Sequence, residues 1–131
     1  MKSLKWFFLV TDIGFILYWA ITVIHFIPDE ALFKDYNNPI LMAWNWSFLP
    51  LDLMISVTGL TSIYLFKRNN PNWRVLVLIS LALTFCSGLQ AISFWIIRDD
   101  YSLSWWLPNL YLFIYPLFFI PRFLRGNRVQ D

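Results

Sequence analysis

The stretch LFKRNNPNWRVLVLISLALTFCSGLQAISFWIIRDD, residues 65–100, decides the fold. Its centre, residues 75–97, carries no charge; Lys67, Arg68 and Arg74 precede it, and Arg98, Asp99 and Asp100 follow. A helix rises about 1.5 Å per residue, so about 20 residues cross the ~30 Å of hydrocarbon in a bilayer. The run lacks the strict two-residue alternation and ~10-residue length of a barrel strand, so it reads as a transmembrane helix. Working outward, residues 6–27, 40–66 and 103–124 form three more such runs, joined by short polar connections. The sequence therefore predicts an all-α integral membrane protein, a four-transmembrane-helix bundle forming one domain over residues 1–131.

Composition agrees. Of 131 residues, 59% are apolar, 21% aromatic and only 14% charged. A soluble domain is about 45–50% apolar and about 25% charged. The net charge of +2 gives no footprint for nucleic acid. One cysteine, Cys86, leaves no pair for a disulfide or a CxxC centre and reads as a small buried hydrophobe. One histidine, His25, leaves no bis-His haem or His-built zinc site. No metal or other cofactor is expected, and no phosphate loop or hydrolase motif is present, so the chain does not read as an enzyme.

Lys2, Lys5, Lys67, Arg68, Arg74, Arg122, Arg125 and Arg128 fall on one side of the predicted bundle, and only Lys34 and Arg98 on the other. By the positive-inside rule both termini are cytoplasmic. The first apolar run is too long for a signal-peptide core and no small-residue cleavage site follows it, so it reads as an uncleaved span. Trp6, Trp44, Trp46, Trp73, Trp95, Trp105 and Trp106 fall near span ends, as an interfacial belt would. Trp19 lies too deep for that belt.

Two acids stand inside the spans, Asp12 and Asp52, and no Lys or Arg occupies a span interior. A charge at the helix centre costs at least about 2.5–3.5 kcal/mol. Asp12 is near enough to one interface to snorkel towards Lys5 or the basic loop. Asp52 must instead be neutral, hydrogen-bonded, or paired with a cation from outside the protein. At 100° per residue, Asn45, Asp52, Ser56 and Gly59 share one stripe of the second span. Ser80, Thr84, Ser87 and Ala91 share one of the third, with Gln90 at its edge. Thr11, Tyr18, Thr22 and His25 line up in the first span; Asn109 shares a face with Trp105 in the fourth, and Ser104 with Tyr111 and Tyr115. Small and hydroxyl residues in stripes are what helices use to pack in lipid. Gln90 and Asn109 come at the depth of Asp52, where each can donate to and accept from a carboxyl. This constellation reads either as a polar lock for helix register or as the floor of an outward-opening pocket. Trp19, Trp44, Trp46, Trp95 and Trp105 would wall that pocket, with Asn45, Asp12 and Tyr111 as further ligand-binding candidates. Pro50, Pro116 and Pro121 each remove a helical hydrogen bond and favour such a cavity.

The Asp12 opening of the first span, NPILMAWNWSFLPLDL (residues 38–53) and LPNLYLFIYPLFFIP (residues 107–121) resemble the YvaD-like group of small four-span bacterial membrane proteins. That resemblance covers the whole chain; it implies a bacterial cell membrane and no known activity. More distantly, the chain is similar to the four-span EXPERA proteins, which include the sigma-2 receptor and sterol isomerases. The shared features are PDEALFKDYNNP (residues 28–39) after the first span and a proline-bearing last span. This second resemblance implies a cavity for a lipophilic amine or sterol, floored here by Asp52 and Asp12. The isomerases use His and Glu, and no Glu lies within a span here. Small multidrug transporters also place an acid early in the first span, but on Gly-rich helices, whereas only Gly14, Gly59 and Gly88 lie in these spans.

The leading expectation is a non-enzymatic binder or sensor of a lipophilic molecule or lipid, with a cationic head as the natural partner for Asp52. A proton-coupled small transporter and an accessory subunit of a larger membrane complex are the alternatives. The bilayer is the one partner the sequence names; oligomeric state stays open.

Overall fold

The computed structural model describes residues 1–24 and 38–128, with side chains to residue 125. They form four helices, α1 (Lys2–Val23), α2 (Pro39–Lys67), α3 (Trp73–Ile97) and α4 (Leu103–Arg128), and no strand among the described residues. Each is long and apolar enough to cross a bilayer, so the protein is a multi-pass membrane protein. His25, Lys34, Asp29 and Glu30 lie outside the described residues, as does the end of the first predicted span.

Local chemistry sets the helix ends. Asn38 caps α2, its Oδ1 accepting from the Ile40 amide at 3.0 Å with Pro39 in the first turn. Asn69 and Asp99 take left-handed backbone (φ 55° and 56°) just past α2 and α3. This lets the Asn70 amide reach the Leu65 carbonyl and the Asp100 amide the Trp95 carbonyl, both at 3.0 Å, satisfying orphan helix carbonyls. Pro50 sits inside α2, and Pro108, Pro116 and Pro121 inside α4. Each deletes the amide that would bond the carbonyl four residues earlier.

Packing follows chain order: α1 against α2, α2 against α3, α3 against α4. α1 and α4 meet mainly through long side chains. Phe7 packs on Tyr111, Tyr115 and Phe119; Thr11 and Tyr111 share a hydroxyl hydrogen bond at 3.0 Å; Tyr18 meets Trp105 edge-on. The core has three levels. Leu4, Phe8, Ile63, Val77, Leu81, Leu112, Tyr115 and Phe119 fill the end that carries the termini. Leu41 and Trp95, with Trp44, Phe94, Trp105 and Trp106, fill the far end. Between them lies a polar level of Asp12, Asp52, Ser56, Ser80, Thr84 and Ser87, all buried. The outward faces are apolar, for example Ile13, Leu17, Leu53, Val57, Ile79 and Leu117. Polar inside and apolar outside is the arrangement hydrocarbon imposes.

Three sequence expectations change. Trp95 is 2% exposed and faces the bundle interior rather than lipid, because Trp44 and Phe94 pack around it. Cys86 is exposed, since the inward stripe of α3 passes through Thr84 and Ser87 on another face. Asp12 does not snorkel; it is 0% exposed.

Gly88 marks the closest approach of α3 and α4. A Cβ there would lie 2.5 Å from the Phe113 amide nitrogen and 2.8 Å from the Asn109 carbonyl oxygen, both backbone atoms with nowhere to go. A Cβ on Gly14 would meet nothing within 4 Å. Gly88→Ala is therefore expected to lower stability by about 1–3 kcal/mol. Gly14→Ala is expected to leave it unchanged or raise it by up to about 1 kcal/mol. Denaturant unfolding of the two variants in one detergent checks both.

Candidate functional site

A cavity of about 260 Å³ lies among all four helices, between the polar level and the far-end aromatic cluster. Trp44, Asn45, Phe48 and Asp52 enter it from α2, and Ser87, Ala91 and Trp95 from α3. α1 contributes Val10, Thr11, Gly14, Phe15, Tyr18 and Trp19; α4 contributes Trp105, Pro108, Asn109, Tyr111 and Leu112. Its lining is aromatic and aliphatic except at a few points, the ordinary make-up of a small-molecule site. Val10, Gly14 and Pro108 are at once exposed and part of the lining, so the mouth faces sideways between α1 and α4. At the far end Trp95 packs with Trp44, Phe94 and Trp105 beside the cavity.

Asp52 is the acid of this cavity. It is 4% exposed, and its two oxygens accept separate hydrogen bonds from neighbouring helices. Trp19 Nε1 of α1 donates to Oδ2 at 2.9 Å, and Ser87 Oγ of α3 donates to Oδ1 at 3.3 Å. Both partners are donors, which suits a carboxylate, an acceptor-only group. Two neutral donors satisfy part of a carboxylate's hydrogen-bonding capacity and leave its charge uncompensated. Around it, Trp19 meets Tyr18 edge-on at 5.1 Å and Trp46 at 5.4 Å, while Trp44 packs on Trp95 at 5.5 Å.

The expected site residues separate accordingly. Asp52, Asn45, Asn109, Tyr111, Trp19, Trp44, Trp95 and Trp105 share the cavity. Trp46 stands behind Trp19, outside the lining. Gln90 is exposed on the outer face of α3, because that helix turns Ser87 and Ala91 inward. Asn109 does not bond to Asp52; its Nδ2 donates to the Trp105 carbonyl at 2.7 Å, one turn back on its own helix. Asn45 Oδ1 accepts from the Tyr18 hydroxyl at 3.5 Å, and its Nδ2 has no partner among the described residues. Asp12 lies outside the lining, packed against Gly59. Sequence reasoning named both true partners of Asp52 but in other roles, Trp19 as wall and Ser87 as packing stripe. It passed over Pro108 at the mouth, for which the Leu-Pro-Asn start of α4 is the available signal.

Trp19→Phe keeps the ring and deletes the donor. It is expected to cost about 1.5–3 kcal/mol, the worth of a hydrogen bond to a charged group, and markedly less when Asp52 is already Leu. Unfolding of the two single variants and the double variant measures that coupling.

Two matches place the chain among known proteins. The model of a family described as "Family of unknown function (DUF5360)" matches residues 4–130. A curated protein of Bacillus subtilis (strain 168), described as "Uncharacterized protein YvaD", is 56% identical over 128 residues, covering 98% of this chain and 96% of its own length. No solved structure matches. These matches carry the YvaD-like resemblance and do not extend to the EXPERA proteins. The matched residues take in all four helices but for the first two residues of α1, and every residue of the cavity, and the chain belongs to the DUF5360 family.

Proposed function

We propose that this protein is a non-enzymatic binder, or sensor, of a lipophilic molecule with a cationic head, captured from the bilayer through the seam between α1 and α4. The observation that carries the reading is Asp52: a buried carboxyl on the cavity wall that meets two neutral donors. No Lys or Arg lies in the interior of any span to meet it. An ammonium group placed there would gain the carboxylate and the π-faces of Trp19, Trp44 and Tyr18, an attraction of up to about 2 kcal/mol or more when desolvated.

Size narrows the ligand. At about 260 Å³ the cavity exceeds the ~150 Å³ that accommodates benzene and falls just under the ~300 Å³ at which ligand pockets begin. It suits a head group or a short ring system, with an aliphatic tail left outside along Val10 and Gly14. The exposed Gly14 leaves that passage open, since nothing stands within 4 Å of where its Cβ would be. The eight-to-two division of Lys and Arg supports cytoplasmic termini in a bacterial cell membrane. That orientation sets the cavity in the outer half of the bilayer.

The test uses protein in nanodiscs and three twelve-carbon amphiphiles: dodecyltrimethylammonium, dodecanol and dodecyl sulfate. The cationic one is expected to quench tryptophan fluorescence saturably and to bind at least tenfold more weakly to Asp52→Asn, about 1.4 kcal/mol. Gly14→Leu, which closes the mouth, is expected to weaken all binding. Equal affinity of wild type and Asp52→Asn for the cationic amphiphile would remove Asp52 as its anchor. Small molecules co-purifying with wild type and lost from Asp52→Asn, read by mass spectrometry, would identify the natural class.

A further inference from the structure

Asp12 lies outside the cavity, in a setting opposite in kind to that of Asp52. Neither of its carboxyl oxygens has a hydrogen-bond partner among the described residues, although the side chain is wholly buried. It seats itself on bare backbone: a Cβ on Gly59 of α2 would collide with Asp12 Oδ2 and lie 3.1 Å from Ser80 Oγ of α3. Only glycine leaves that space, so the carboxyl and the Ser80 hydroxyl converge on one point between three helices.

The hydroxyls there have already used their hydrogens. Ser56 Oγ donates to the backbone carbonyl of Asp12 itself at 3.0 Å, Ser80 Oγ to the Ile55 carbonyl at 3.2 Å, and Ser62 Oγ to the Gly59 carbonyl at 2.6 Å. A hydroxyl has one hydrogen to give, so each has only lone pairs left to offer. From α4 the ionisable groups that feel Asp12 are the Tyr111 and Tyr115 phenols. Tyr111 is engaged with Thr11, and neither phenol bonds to the carboxyl. α2 and α3 bring no charged side chain to it among the described residues. Asp52 is met by donors; the Asp12 carboxyl is bonded by none, and the serine hydroxyls around it turn lone pairs rather than hydrogens to it. A bare anion is not stable in such a place, whereas an all-oxygen acceptor set is what a small cation requires.

We propose that Asp12 is a second binding site, for a monovalent cation, either a proton or an alkali-metal ion, which neutralises the carboxyl and holds α1 against Gly59 of α2. The site does not depend on what the cavity binds. It does bear on the cavity's shape, because Thr11 and Gly14, beside Asp12 on α1, form part of the cavity wall.

The experiment is thermal unfolding of the full chain in detergent, comparing wild type, Asp12→Asn and Asp52→Asn. It is run across a pH series, and at fixed pH with sodium chloride replaced by N-methylglucamine chloride. One cation bound only in the folded state raises the folding constant up to tenfold for each tenfold rise in its activity. Wild type and Asp52→Asn are expected to gain stability with rising activity of one cation, and Asp12→Asn, equal in shape but neutral, to be indifferent to it. A response to acid alone identifies the proton; a response to sodium at fixed pH identifies the alkali ion. The proposal is overturned if wild type and Asp12→Asn respond alike, if neither responds, or if the response is lost with Asp52 instead. Should Asp12→Asn not fold, infrared spectra of the Asp52→Asn protein with isotope-labelled aspartate decide. A carboxyl band that moves when protons or sodium are exchanged supports the site, and a band indifferent to both overturns it. Either failure leaves the role of Asp52 as an amphiphile anchor to be judged by its own binding data.

Discussion

Hydrocarbon offers a polar group nothing, so a polar side chain of a spanning helix has to be answered within the protein, by its own helix or by a neighbour. The hydrogen bonds from Trp19 and Ser87 to Asp52 are the clearest answer in this molecule, because a single carboxyl ties α1, α2 and α3 together at one depth. The same rule explains why Ser56 reaches across to the Asp12 carbonyl, and why Ser80 reaches from α3 to the Ile55 carbonyl of α2. Apolar packing above and below this level supplies contact area. The polar level supplies register, since sliding α1, α2 or α3 by one turn would break the hydrogen bonds to Asp52.

Much of this was legible in the sequence because lipid imposes simple periodicities. Run length exposed the four helices, and the 100° spacing of Asn45, Asp52, Ser56 and Gly59, and of Ser80, Thr84, Ser87 and Ala91, identified the faces that are in fact buried. What a stripe does not encode is who bonds to whom. Gln90 differs from its buried neighbour Ala91 by one residue and thus by 100° of rotation, enough to put it outside. Asn109 finds an acceptor on its own helix, a local option open to any short polar side chain. Asp12 is close enough to a span end to snorkel, and only three-dimensional packing reveals that Gly59 has made room for it inside. Tryptophans near span ends pose the same ambiguity, and the depth of Trp95 is decided by Trp44 and Phe94 rather than by its place in the chain.

The two acids therefore divide one problem between them. Asp52 faces a cavity with rings around it and donors behind it; Asp12 faces a glycine and hydroxyl lone pairs. Identical side chains near the middles of α1 and α2 thus meet at neighbouring depths in opposite surroundings. This contrast in surroundings, more than the presence of acids as such, marks the region as specialised.

The order of helix packing has a consequence for how the molecule is made. α1, α2 and α3 each pack on the next helix in the chain, an arrangement of successive hairpins that favours assembly through contacts close in sequence. The cavity cannot exist until α4 arrives with Trp105, Asn109 and Tyr111 to face α1. The last wall to be built is then the one held by side chains rather than by backbone approach, at the seam of Phe7, Thr11 and Tyr18 with α4. A seam of that kind is where a membrane bundle opens and recloses most readily while the rest stays folded. On the reading proposed above, a molecule taken from the bilayer would enter through this seam, while the close backbone approach of α4 to α3 at Gly88 stays in place.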